Sequence, residues 1–391
     1  MLVDTVADYK SPISSFEATT YLFRIYRVLG INKPQRHKNL YIFYTIILNG
    51  VVNFLQPIAF TMNYFTNELV SKLGSLLTSI EIVINVYGCT AKFIIIAWLL
   101  PRSNATVQLL KKLDERCQAP DELELLKSIK KFGRLVVVVL AVSYLSYSVS
   151  QFICSLIAGH PPYGLYIPYI NWKRSFWEFL VASSIEFLLM NVSCIVQASN
   201  DAYPIIYINI LRTHIKILLK RLNRLGTGAD KSQDEHLEEL KLCIKDHKNL
   251  NSLFETIAPI ISTTVFVQFM ITAAIIALTL INMLFFTTNI SAVANSCVYI
   301  ADLVLEIFPI CYYANCLIDD NDLLSMEIFH SAWPEQNKIY RKMLIVFMQR
   351  SQQSMSLTAG KMFPINLNTF ISIIKFSFSV YTLIKTVGIK E

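Results

Sequence analysis

The chain has 391 residues, 54% of them hydrophobic and 16% charged, with a net charge of +7, whereas soluble domains average about 25% charged. That excludes a soluble globular protein and predicts an all-α polytopic membrane protein. Hydrocarbon admits only helices or closed barrels, because each must satisfy its own backbone, and long apolar runs without period-two alternation exclude the barrel.

Residues 1–38 are polar and basic. Phe16, Leu22, Phe23 and Tyr26 beside Arg24 and Arg27 predict a short amphipathic helix lying on a membrane surface. A first span is expected over 39–62, and a second over 72–100 with Glu81 and Lys92 inside it. A charged connector, 101–134, leads to a third, uncharged span over 135–159. Residues 160–175, rich in Pro and aromatics, predict an ordered loop. The fourth span starts near Phe176 and continues as helix to about Leu225, where Arg212, Lys216, Lys220 and Arg224 form a basic stripe of the kind a solvated face carries. After a break at Gly226–Asp230, a charged helix over 232–255 leads back into the membrane. Residues 256–301 are 46 positions without a charge, enough for two spans joined by a tight turn at 287–291. The fifth span is placed over 256–286 and the sixth over 292–318, the latter carrying Asp302 and Glu306. A charged loop, 319–338, and a short helix, 339–350, precede the last span, which begins at Met362 with Pro364 just inside its start.

That seventh span carries a polar stripe. Asn368, Ser372, Lys375, Ser379, Thr382 and Thr386 recur at spacings of 4, 3, 4, 3 and 4, so they share one helix face. Two readings fit: hydroxyls that join neighbouring helices, or a face turned to water, as pore linings are.

Seven spans put the termini on opposite sides. The amino tail and the connectors on its side hold 26 Lys and Arg, against 4 on the other side. The positive-inside rule then places the amino terminus in the cytoplasm and the carboxyl terminus outside. A G-protein-coupled receptor has the opposite orientation, and its usual disulfide to the outer loop has no cysteine here within 156–177. No internal repeat suggests a secondary transporter. No Cys-x-x-Cys pair, metal spacing, phosphate loop or nucleophile–base constellation is present. No enzyme, cofactor, metal or nucleic-acid partner is therefore expected. The partners in view are the lipid bilayer and a ligand.

The carboxyl-terminal 85 or so residues resemble insect odorant receptors: FPICYYANCL, the lone Trp333 of that region, Leu357-Thr358-Ala359-Gly360, Phe363-Pro364 and Ser379-x-Tyr381-Thr382. The outer loop with Pro162-Tyr163, Pro168 and Trp172 is similar too. Gustatory receptors, which would make an alternative ligand-gated channel, usually close this span with Thr-Tyr and a later Gln-Phe, whereas this chain reads Ser-Val-Tyr-Thr-Leu-Ile-Lys-Thr. The short connector between spans four and five separates it from the longer obligate co-receptor. The resemblance implies a ligand-tuning subunit of an odorant-gated, non-selective cation channel. Such a subunit forms a heterotetramer with the co-receptor in the plasma membrane of sensory-neuron dendrites.

The resemblance also divides the chain. Residues 1–38 become a cytoplasmic segment, 39–211 the ligand-binding bundle, 212–255 a cytoplasmic helical connector and 256–318 spans five and six. Residues 319–350 become an anchor loop and helix, and 362–386 the pore-lining span. It puts the odorant among spans two, three, four and six, and a hydrophobic gate at Leu383 and Val387 beside Ser379, Thr382 and Thr386. An apolar, aromatic pocket suits a small volatile, and Tyr144, Tyr147, Ser148 and Phe152 share a face of span three. Phe187 and Met190 in span four, and Ile80, Ile84 and Tyr87 in span two, are further candidates. Intramembrane charges are costly, so Glu81, Lys92, Glu186, Asp201, Asp302 and Glu306 are expected to pair across the bundle.

Overall fold

The computed structural model describes residues 14–32, 38–66, 73–227, 231–287 and 290–387. After a 3-10 turn at Ser15–Thr19, α1 covers Thr20–Val28. Helices α2 (Lys38–Asn49) and α3 (Gln56–Thr66) are joined without interruption by a π-helical stretch, Gly50–Leu55. There follow α4 (Leu73–Leu99), α5 (Asn104–Asp114), α6 (Pro120–Ala158), α7 (Phe176–Asn223) and α8 (Gln233–Phe285). The chain closes with α9 (Ile290–His330), α10 (Lys338–Ser351), a hairpin of β1 (Thr358–Ala359) and β2 (Phe363–Pro364), and α11 (Leu367–Val387). Among the described residues, seven helices are long and apolar enough to cross a membrane, the α2–α3 unit counting as one.

Helices α6 to α9 extend past the membrane as continuous rods, and their common end forms the main core around Tyr203, Tyr207, Leu211, Leu250 and Leu317. The charged and apolar halves over 232–286 are one unbroken helix, opened by a capping box in which Ser232 and Glu235 satisfy each other's backbone N–H. Pro259 lies within it without ending it. The expected loop at 319–338 is helical as far as His330: Leu324 and Ile328 are buried in the main core, and Arg212 on α7 donates to Asp320 at 2.8 Å. Pro364 does not start the last helix. It pairs with Thr358 in the hairpin, and Asn366 caps α11 by accepting from the backbone N–H of Thr369 at 2.9 Å.

The amino-terminal segment corrects another expectation. Phe16, Leu22, Phe23 and Tyr26 are all buried in the protein and do not rest on a surface. Phe16 stacks on Phe23, and the Tyr26 hydroxyl donates to the carbonyl of Ser199 at 3.2 Å. Asp114 at the end of α5 clamps the segment, accepting from the Ser14 hydroxyl (3.0 Å), the Ser15 N–H (2.9 Å) and the Ser15 hydroxyl (3.0 Å). Gly133 of α6 lets this segment in: a Cβ there would stand 2.2 Å from the carbonyl oxygen of Ala18. The basic stripe of α7 is likewise not simply solvated: Arg212 pairs with Asp320 at 2.8 Å, and Lys220 and Arg224 pair with Asp121 at 3.2 and 2.7 Å. Another α7 cation, off the stripe, is paired more deeply. Arg221 forks onto Glu122 at 2.8 and 2.9 Å and reaches Asp246 at 2.6 Å, a planar, two-pronged pairing that guanidinium favours.

Candidate functional site

A cavity of about 70 Å³ lies between α4, α6, α7 and α9. Each helix supplies its wall by regular spacing. On α9, Tyr299, Asp302, Leu303 and Glu306 follow the i, i+3, i+4, i+7 pattern of one face, and on α7 Met190, Ser193, Cys194 and Gln197 do the same. From α6 come Tyr144 and Tyr147.

The roof is Tyr163, in the loop after α6, and its hydroxyl donates to Ser148 at 3.3 Å. The loop backbone over 163–165 is held by a single carboxylate. The carboxylate of Glu186, buried on α7, accepts the backbone N–H groups of Tyr163, Gly164 and Leu165 at 2.8, 3.2 and 2.8 Å. Gly164 has φ +67°, a left-handed conformation suited to glycine.

The floor is charged. The Lys92 ammonium, 1% exposed, donates to Asp201 at 2.7 Å, to Glu306 at 3.1 Å and to the amide oxygen of Gln268. The Tyr144 hydroxyl donates to Asp201 at 3.2 Å, and the Gln197 amide to Glu306. Buried charges persist when paired and hydrogen-bonded on every side. The expected pairing across the bundle therefore holds for Lys92, Asp201 and Glu306. The other three acids use different donors: Glu186 the loop backbone, Asp302 the Ser143 hydroxyl, and Glu81 the Thr279 hydroxyl at 3.1 Å.

Tyr147 and Tyr299 stack with ring centroids 5.0 Å apart. Beyond them lies a larger cleft of about 950 Å³, walled by the same two rings together with Tyr163, Glu81 and the 160–164 loop.

Of the residues singled out from sequence, Tyr144, Tyr147 and Met190 line the inner cavity. Ser148 is behind the wall, holding the roof. Phe152 and Phe187 pack on each other at 4.6 Å and line neither cavity. On α4 a different face from the expected one lines the cavity. Asn85, Val86 and Cys89 line the cavity, Ile84 packs against the Ile275–Leu303 cluster, and Ile80 lines neither space. Tyr87 is outside, its hydroxyl 3.1 Å from that of Thr61. The missed residues on α9 had a signal: acids and a tyrosine at helical spacing inside an apolar run.

On α11 the polar stripe faces away from the rest of the chain. Asn368, Ser372, Lys375, Ser379 and Thr386 are exposed, Thr382 is half-buried and Leu383 is 64% exposed. The side chain of Val387 lies outside the described residues. The hydroxyls of Ser372, Ser379 and Thr386 donate to carbonyls one turn back in their own helix. The serine that joins α11 to a neighbour is off the stripe: Ser377, donating to the carbonyl of Ala273 on α8 at 3.1 Å. Within the chain, then, the stripe is not interhelical glue.

The profile of the 7tm Odorant receptor family matches residues 72–378. Odorant receptor 42a of Drosophila melanogaster is 34% identical over 97% of this chain and 94% of its own length. Odorant receptor 42b of the same fly is 32% identical over 96% and 95%. The chain belongs to the odorant receptor family. That membership sets aside the gustatory and G-protein-coupled alternatives and places this odorant receptor in a family of receptors. Its fold is that of the insect olfactory receptor OR5 from Machilis hrabei, with TM-score 0.74 at 14% identity over 94% of this receptor and 97% of OR5. The structure of OR5 in complex with eugenol matches with TM-score 0.71 over 96% of this receptor.

Proposed function

We propose that this odorant receptor is the ligand-tuning subunit of an odorant-gated, non-selective cation channel, assembled as a heterotetramer with the family's co-receptor. The 26-to-4 distribution of Lys and Arg supports an amino terminus in the cytoplasm and a carboxyl terminus outside, in the plasma membrane of a sensory dendrite. Residues 212–255 and 319–350 then belong to a cytoplasmic part through which subunits hold one another, and 362–386 to the pore.

The observation that carries this reading is the pairing of a small aromatic cavity with a last helix whose polar face has no partner among the described residues. A small volatile is proposed to bind among Tyr144, Tyr147, Met190 and Tyr299, above the Lys92 triad. The void is small, so a ligand has to displace the rings that line it, and α6 and α9 carry those rings. Both helices lead to the end of the bundle from which the hairpin and α11 depart, which gives ligand a mechanical route to the last helix. Leu383 and Val387 are proposed as the apolar gate, closed by dewetting, with Ser379, Thr382 and Thr386 on the water-facing stripe beside it.

The test is a panel of volatiles applied to cells expressing this chain with and without the co-receptor. Odorant-evoked cation current only when both are present supports the reading. A G-protein-dependent response of this chain alone, without current, would overturn it.

A further inference from the structure

Two lysines lie well inside predicted spans of this receptor, and the chain treats them oppositely. Lys92 is buried and held by two carboxylates and an amide oxygen. Lys375 is exposed, and its ammonium has no ion-pair or hydrogen-bond partner among the described residues. It is the ninth residue of α11, about 12 Å from the start of the helix at ~1.5 Å per residue. Its neighbours on the same face, Ser372 three before it and Ser379 four after it, spend their hydroxyl protons on carbonyls of α11 itself. An unpaired ammonium at that depth is strongly disfavoured in hydrocarbon, so this face meets water.

Resting on the reading of α11 as the lining of the conduction path, we infer that Lys375 is an ion-discriminating residue. It presents a fixed positive charge to permeating cations and lowers the permeability of divalent relative to monovalent ions. Its repulsion scales with the charge of the ion. For an ion passing about 8 Å away through water, the Boltzmann factor is about two- to threefold for one charge and the square of that for two. The ratio of calcium to sodium permeability is therefore held down by about two- to threefold. The charge also argues against a pore made of this chain alone, where every copy would add a lysine at the same level.

The test uses the full chain co-expressed with the co-receptor, and measures reversal potentials in calcium and sodium solutions. Currents are evoked by the volatile that gives the largest wild-type response. Lys375→Gln should raise the calcium-to-sodium permeability ratio about two- to threefold. Lys375→Glu should raise it further, and Lys375→Arg should leave it unchanged. Surface labelling establishes that each variant reaches the membrane, and Lys375→Glu keeps the test decisive if the neutral variant does not. In parallel, Ser379→Cys and Lys375→Cys are treated with a membrane-impermeant thiosulfonate. Modification of Ser379→Cys but not of Lys375→Cys, with unchanged ratios, would overturn the inference and leave the pore reading standing. If neither cysteine reacts and no ratio moves, the pore reading falls and takes the inference with it.

Discussion

Tyr147 of α6 and Tyr299 of α9 lie nearly face to face, their centroids 5.0 Å apart and their planes inclined by 18°, and this one pair of rings walls both the inner cavity and the larger cleft beyond it. It is a partition made of two side chains, and aromatic pairs of this kind contribute about 0.5–1.5 kcal/mol beyond the area they bury. Tyr147→Ala should open the inner cavity to the cleft, speed the onset of odorant responses and broaden the range of ligand sizes accepted. Tyr147→Phe keeps the stack and should keep wild-type kinetics. Identical onset rates and rank order in the alanine variant and wild type, at equal surface expression, would remove the partition.

The Lys92 triad predicts a stability effect with a defined rescue. Lys92→Met leaves Asp201 and Glu306 facing each other without their cation, and breaking a buried pair in this way costs about 3–5 kcal/mol. Surface expression and thermal stability in detergent should collapse. Adding Asp201→Asn and Glu306→Gln removes the stranded charges and should restore much of both. A single Lys92→Met variant as stable as wild type would show that the triad bears no such strain.

The crossing of α6 by the amino-terminal segment is checked at Gly133. A Cβ there meets the Ala18 carbonyl at 2.2 Å, and backbone cannot yield as a side-chain tip can. Gly133→Ala should destabilise by about 1–3 kcal/mol, in the range of overpacked cores. It should also expose residues around Ser14–Val28 to limited proteolysis. Unchanged melting and cleavage patterns would mean that the crossing absorbs the added methyl and is not tightly packed there.

The gate is tested at its exposed member. Leu383→Ser, expressed with the co-receptor, should raise the resting current or the sensitivity to odorant, since a hydroxyl makes an apolar constriction easier to wet. Val387→Ser should act in the same direction, and Val387→Lys should reduce cation current. Basal current, sensitivity and ion permeability all equal to wild type in both serine variants would take these residues out of the gate.

Cys117, between α5 and α6, gives a pH prediction. Burial pushes its thiol up from the ordinary 9.0 to about 12, against the opposing pull of the Arg221 guanidinium. The neutral thiol is thus favoured in the folded protein. The stability it contributes is fully present below pH 9 and is lost as pH rises from there toward 12. At pH 8 a maleimide should leave Cys117 unlabelled until the receptor is unfolded, and Cys117→Ser should flatten the loss of stability above pH 9. Rapid labelling of Cys117 in the folded receptor would contradict its burial.

What was legible in the sequence follows from what each signal measures. Hydropathy located the spans because lipid is one solvent with one requirement. It was blind to the helix beyond Leu317, where Asp319 and Asp320 read as loop, because that segment is held by contacts with other rods, the Arg212–Asp320 pair and the burial of Leu324 and Ile328. The amphipathic pattern of Phe16, Phe23 and Tyr26 identified an apolar face without saying whether lipid or protein covers it. Tyr144 and Tyr147 could be picked out because they interrupt an aliphatic face. On α4 the inward face is marked by the polar Glu81, Asn85 and Lys92, spaced 4 and 7 apart, and not by the largely apolar set Ile80, Ile84 and Tyr87 that an apolar pocket suggests. Pro364 shows a different failure, since proline at a helix start and proline in a short hairpin strand look alike until Asn366 is seen to be the cap.

Glu186 grips the 163–165 loop through main-chain N–H groups alone. A grip of that kind does not read side chains. The side chain of Tyr163, which lines the cavity, can therefore be exchanged while the main-chain grip persists; the exchange gives up its hydrogen bond to Ser148, and the glycine conformation at 164 stays constrained. The roof of the cavity is thus decoupled from the carboxylate that holds its backbone, so new odour preferences can arise by drift at position 163 without refolding the loop.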